Sequence, residues 1–211
     1  MLWLPGLDGT ATLWGPLRDA LGDDARDAEL VRYAADEARY DALLEAIAPR
    51  SRPTLVVAES FGGPLAVRLA MRDPMVRGLV LIASFAVGPS LARFGSLLSI
   101  APRPPSLALR LALLGTDAPS ARVTELAAAI RAVPPRVIAR RVEQVARVDV
   151  RAELHALAIP ITWIVGRRDR LVPPPADVPG EIVTIDGPHL LAQTRAHEVA
   201  TVVRRALRAI A

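Results

Sequence analysis

The sequence predicts an α/β fold: a mostly parallel sheet of about six strands, helices on both faces, and a small helical insert. Three observations carry this. Short apolar runs rich in β-branched residues alternate with segments of helical period, the pattern of strand–helix–strand units. The clearest unit passes from Leu55-Val56-Val57 through Ala58-Glu59-Ser60-Phe61-Gly62 into Leu65, Ala66, Leu69 and Ala70 at helical spacing. The alternation stops over residues 86–151, which hold helical pieces and no convincing strand, and resumes at Ile159.

Leu2-Trp3-Leu4 reads as the first strand, followed by the glycine-bearing loop Pro5-Gly6-Leu7-Asp8-Gly9. Trp14, Leu17 and Leu21 mark a short helix stopped near Gly22. Glu29 to Tyr33 reads as a second strand, and residues 38–48 as a helix with Leu43, Leu44 and Ile47 on one side. Thr54–Glu59 is the central strand, and the helix after it ends before Asp73-Pro74, because the residue before proline avoids the helical region. Leu79–Ala83 and Ile159–Val165 are apolar strands, the latter followed by Gly166-Arg167-Arg168-Asp169. Glu181–Ile185 is the last strand, and Asp186-Gly187-Pro188-His189 the loop after it. Residues 194–211 close the chain as a helix with Val199, Val202, Val203, Leu207 and Ile210 inward.

Composition narrows the classes. A chain of 211 residues suits one domain with a sizeable core. It is 52% hydrophobic, yet no run approaches the ~20 apolar residues of a membrane span. Met1 opens into a short apolar run ending at Asp8 with no basic leader, which predicts a cytoplasmic protein. There are no cysteines, and the 3 histidines show no ligand spacing, so no metal or cofactor is expected. All 26 basic residues are Arg, and aromatics are only 4%, which argues against a nucleic-acid surface. Residues 86–151 carry ten Arg against four acids, a net +6, while the rest of the chain is net −2. Such a bias favours an acidic partner such as an acyl carrier, or else marks a solvated helical face.

A strand, a sharp turn with serine at its apex and a helix form the layout of a nucleophile elbow. Its strained geometry needs small residues two before and two after the serine; Ala58 and Gly62 fill those places around Ser60. The competing reading is an ordinary turn with an N-capping serine.

With the elbow, the loop Pro5-Gly6-Leu7, Gly166-x-x-Asp169 after the penultimate strand and His189 after the last, the sequence resembles the α/β-hydrolases over nearly its whole length. Val148–Arg151 through Leu171-Val172-Pro173 also resembles the small-capped pimeloyl-carrier-protein methyl esterases. The resemblance implies an α/β-hydrolase core at 1–85 and 152–211, a helical cap or lid at 86–151, and a sheet lacking the family's first two strands.

Ester cleavage needs a nucleophile, a base, and a group that orients the base. Ser60, His189 and Asp169 are the expected set, with Asp186 and Asp177 as alternatives to Asp169. His155 and His197 read as solvated or locally bonded. The backbone N–H groups of Leu7 and Phe61 are the candidate oxyanion donors. Asp8 would oppose an oxyanion unless it points away to pin the loop, and Glu59 reads as a support under the elbow. Leu97, Leu98, Leu111 and Leu114 are candidate walls of an acyl pocket. The expected function is a serine hydrolase of short-to-medium acyl esters, a small-molecule substrate. The rivals are hydrolysis of acyl groups held on acyl carrier protein or coenzyme A, and a non-catalytic ligand-binding protein on the same scaffold.

Overall fold

The computed structural model describes residues 1–89, 113–116 and 118–210. Six strands, β1 (Leu2–Leu4), β2 (Glu29–Leu30), β3 (Thr54–Glu59), β4 (Val76–Ile82), β5 (Ile161–Gly166) and β6 (Glu181–Ile185), form one sheet in the order β2-β1-β3-β4-β5-β6. Every neighbouring pair is parallel. The described helices are α1 (Gly15–Leu21), α2 (Tyr40–Glu45), α3 (Gly62–Arg72), α4 (Ser120–Arg131), α5 (Pro135–Arg147), α6 (Arg151–Ala156), α7 (Leu191–Thr194) and α8 (Ala196–Ala209).

The two-residue period of the strands divides the core. Leu2, Leu4, Val56, Ala58, Leu79, Leu81 and Trp163 face Tyr40, Leu43, Leu65, Leu69 and Leu154 of α2, α3 and α6. Trp3, Leu55, Val57, Val80, Ile82 and Ile164 face Leu17 and Leu21 of α1 and Val199 and Val203 of α8. β3 is therefore buried on both faces, which is why it reads as an unbroken apolar run. Each such Leu or Val contributes about 1.5–3 kcal/mol by leaving water.

Four elements are shorter than their patterns suggest, among them the closing helix, which runs from Ala196 to Ala209 after the separate turn of helix Leu191–Thr194. β2 spans two residues: Val31 N–H still donates to Trp3 O at 3.0 Å, but Tyr33 N–H turns away to Gly9 O at 2.9 Å. The helix predicted over 38–48 runs from Tyr40 to Glu45, because Glu37 Oε1 takes the N–H groups of Ala38 and Arg39, both at 2.8 Å, before it starts. The strand predicted from Ile159 starts at Ile161, just after Pro160, which has no N–H to give the ladder.

The insert leaves and rejoins the sheet at one point. Val87 and Asp149 form an antiparallel bridge, flanked by Gly88 N–H to Val148 O at 3.1 Å and Val150 N–H to Ala86 O at 2.9 Å. Leu126 and Ala129 of α4 pack with Leu114 and Ala118 on Leu13 and Leu190 of the core. No helix among the described residues is long and apolar enough to cross a membrane.

Candidate active site

Parallel strands send all their carboxyl ends to one edge, so the loops after β1, β3, β5 and β6 meet there. Ser60 follows β3 with φ of 50°, the left-handed region that a non-glycine residue enters at a cost of order 1–3 kcal/mol. The turn is held by Ser60 N–H to Ile82 O at 2.9 Å, Gly63 N–H to Ser60 O at 3.0 Å and Ser84 Oγ–H to Ser60 O at 2.8 Å. A Cβ at Gly62 would stand 2.8 Å from the carbonyl oxygens of both Leu4 and Pro5, so the position two after the serine admits only glycine.

His189 Nε2 lies 3.0 Å from Ser60 Oγ, and its Nδ1 lies 2.7 Å from Asp169 Oδ2. All three side chains are buried. Asp169 Oδ1 accepts the N–H groups of Leu171 at 2.8 Å and Val172 at 3.0 Å, which fixes the carboxylate plane. The alternatives lie elsewhere. Asp186 is exposed and pairs with Arg168 at 3.2 Å, while the carbonyl of Asp177 lies 3.1 Å from the exposed His155 ring. His197 is exposed on α8.

The loop after β1 runs beside the elbow. Asp8 Oδ2 accepts Thr10 N–H at 2.8 Å and Thr10 Oγ–H at 2.5 Å, so the carboxylate is used to pin the loop. Leu7 N–H and Phe61 N–H donate to no described protein acceptor. Phe61 is fully buried, stacked on Tyr40 at 4.5 Å between ring centres and met edge-on by Tyr33 at 5.9 Å. Tyr40 Oη–H donates to Phe61 O at 3.1 Å. Of the four leucines expected to line an acyl pocket, Leu97, Leu98 and Leu111 lie outside the described residues. Leu114 is buried beside α4 and borders a cleft of about 170 Å³ with Pro188 and Gln193.

Two features of the site escape sequence reasoning. Gln193 Nε2–H donates to Glu59 Oε2 at 3.0 Å under the elbow, across 134 residues of chain. Arg141, on α5 of the insert, is fully buried against the loop after β1. One signal points to it: Val137, Arg141 and Val145 repeat every four residues, so the arginine stands inside an apolar stripe.

Burial raises the Glu59 carboxyl from 4.5 to about 7, opposed by the Gln193 hydrogen bond and the nearby His189. Among the described residues, Glu59 Oε1 and Gln193 Oε1 are buried acceptors without a donor. The folded chain thus holds a proton that the unfolded chain releases above about pH 4.5. That stability is fully present below pH 4.5 and is lost as pH rises through about 7. Glu59→Gln removes the titration. Urea unfolding at pH 5 and pH 8 is expected to show the parent losing about 3 kcal/mol more than the variant; equal losses would leave Glu59 with its ordinary acidity.

The sequence profile described as the Alpha/beta hydrolase family matches residues 2–202. No curated protein matches the chain. Solved structures share the fold at low identity. An esterase from Thermogutta terrifontis aligns with a TM-score of 0.77 at 20% identity, covering 99% of this chain and 89% of that one. An enol-lactonase from Burkholderia xenovorans LB400 gives 0.77 at 17%, covering 98% and 90%. A hydrolase from Oleispira antarctica gives 0.80 at 13%, again covering 98% and 90%. A profile match over nearly the whole length, on a six-stranded parallel sheet with serine, histidine and aspartate at its carboxyl edge, places this chain in the alpha/beta hydrolase family.

Proposed function

We propose that this protein is a serine hydrolase of carboxylic esters working through an acyl-enzyme. The observation that carries the reading is one imidazole, His189, set 3.0 Å from the Ser60 hydroxyl and 2.7 Å from the Asp169 carboxylate. Asp169 holds the Nδ1–H tautomer, so Nε2 presents a lone pair to the serine. Ser60 Oγ attacks the ester carbonyl as its proton passes to Nε2. The carbonyl oxygen becomes an oxyanion that Leu7 N–H and Phe61 N–H receive, and the positive end of α3 adds to their field. His189 then protonates the leaving alcohol, and water repeats the sequence to release the acid. The insert acts as a lid over this edge, with Leu114 on the acyl side. The names of the Thermogutta esterase and the Burkholderia enol-lactonase support this class.

A fluorophosphonate probe tests the reading and separates it from a non-catalytic scaffold. The parent is expected to gain one covalent adduct on the peptide containing Ser60. An unlabelled parent overturns the proposal.

A second reading has its own observation. Among the described residues, Arg122 and Arg195 line the cleft beside Pro188, while their partners Glu125 and Glu198 do not. A cationic cleft next to His189 suits an acyl group delivered on an anionic carrier. Raising salt from about 50 to about 500 mM is then expected to lower kcat/KM for a carrier-linked acyl substrate several-fold and leave p-nitrophenyl butyrate unaffected. A carrier-linked rate that ignores salt removes this reading.

A further inference from the structure

Among the described residues Arg141 forms no salt bridge with a carboxylate, yet all five of its N–H groups are used. Nε–H donates to Glu37 O at 3.0 Å, Nη1 to Leu7 O at 2.7 Å and Asp8 O at 3.2 Å, and Nη2 to Ala34 O at 3.0 Å and Glu37 O at 2.8 Å. The guanidinium carbon stands 5.4 Å from the centre of the Tyr33 ring. Burying a cation without an ion pair is costly, so the site is retained only where its hydrogen bonds replace the lost water. An apolar residue here would strand three main-chain carbonyls, those of Leu7, Asp8 and Glu37; Ala34 O would keep the N–H of Glu37 at 3.1 Å.

What those bonds hold is the loop next to the elbow. Five consecutive carbonyls of that loop are occupied: Pro5 O by Tyr33 Oη–H at 3.0 Å, Gly6 O by Gly9 N–H at 3.1 Å, Leu7 O and Asp8 O by Arg141, and Gly9 O by Tyr33 N–H at 2.9 Å. The peptide that carries the Leu7 N–H is held through Gly6 O by Gly9 N–H, and the two peptides that follow it are held through Leu7 O and Asp8 O by Arg141, so turning the first requires the next to move with it. Gly9 permits this approach: at φ of 65°, a Cβ would sit 2.8 Å from Arg141 Nη1 and 2.7 Å from the Tyr33 ring.

We propose that Arg141 is a positioning residue. It reaches from the insert into the core and sets the Leu7 N–H in the direction that receives the oxyanion, and its charge favours the negative charge that develops there. The insert and the oxyanion loop are then one mechanical unit: an oxyanion site is complete only while α5 is seated. This rests on the serine-esterase reading, and the test keeps the two apart.

Arg141→Met keeps the length of the stem and loses the charge and all five donors; Arg141→Lys keeps the charge and fewer donors. Active sites are counted by fluorophosphonate labelling, and kcat for p-nitrophenyl butyrate is expressed per labelled site, so that a loss of folded protein does not register. Per labelled site, Arg141→Met is expected to lower kcat roughly 10²-fold, the scale of losing one oxyanion donor, with KM changed less than about threefold. Arg141→Lys is expected to fall between the two. A boronic acid that forms a tetrahedral adduct on Ser60 is expected to weaken in parallel with kcat/KM. A kcat per labelled site within about threefold of the parent in Arg141→Met, whatever its melting temperature, overturns the inference and makes Arg141 a purely structural clamp. Should Arg141→Met not fold, the lysine variant decides: a kcat per site within about twofold of the parent overturns the inference, and a roughly tenfold loss supports it. Failure of the parent to label would instead remove the esterase reading itself.

Discussion

Ser60→Ala is expected to lower kcat for p-nitrophenyl butyrate by about 10⁶-fold, because the nucleophile and the acid–base pair act as a unit and removing one member removes most of the benefit of all. The variant should remain folded. It loses one hydroxyl and one hydrogen bond of 3.0 Å to His189, and the chain already carries alanine at comparable positive φ, at Ala11 (60°) and Ala83 (46°). The turn is held by main-chain atoms and Ser84, none of which involves the Ser60 side chain. Urea unfolding should therefore match the parent within about 1 kcal/mol, and the fluorophosphonate adduct should disappear. Turnover above about a hundredth of the parent rate would show that some other group attacks the ester.

Asp169→Asn should cost about 10⁴-fold in kcat, and the local hydrogen bonds say why. Leu171 N–H and Val172 N–H both donate to Oδ1, at 2.8 and 3.0 Å, so the amide oxygen of an asparagine must take that position. Its NH₂ then faces His189 Nδ1, which lies 2.7 Å from the present Oδ2. A donor there makes Nδ1 the acceptor and moves the ring proton to Nε2, which then offers Ser60 a proton where it should take one. Asp186→Asn serves as the comparison. Its exposed carboxylate meets Arg168 and not the imidazole, so kcat should stay within about threefold of the parent. Equal losses in the two variants would mean that Asp169 does not orient the base.

Much of this arrangement is legible in the sequence. Thr54–Glu59 and Glu181–Ile185 fall on their predicted bounds, because apolar and β-branched runs mark strands whether they are central or at an edge. β2 is harder to bound: Glu29–Leu30 pairs with β1 through two residues, and what ends it is the pull of Tyr33 toward Gly9, a contact no local pattern announces. Of the three aspartates weighed as partners of His189, the family resemblance favours Asp169 over Asp186 and Asp177, although spacing along the chain favours Asp186. Asp186 is nearest in sequence, yet the chain turns between it and His189, while Asp169 arrives from the neighbouring strand. Of the four leucines expected to line an acyl pocket, those at 97, 98 and 111 fall outside the described residues, and Leu114 borders the cleft beside Pro188. Arg141 is the clearest case of a residue hidden by composition: one arginine among ten in a basic insert reads as solvated surface until its apolar neighbours at Val137 and Val145 are considered.

The sequence by itself determined the order of strands and helices, the serine at a strand-to-helix turn, and the aspartate and histidine placed after later strands. These follow from short-range physics: side-chain period, turn chemistry and the small residues a tight turn demands. Only the tertiary structure decided which polar groups meet: His189 with Ser60 across 129 residues, Gln193 with Glu59 and Arg141 with Leu7 across 134 each. Such contacts depend on how two faces of helices seat on a twisted parallel sheet, and that packing is a sum over the whole core, which no local stretch of chain contains.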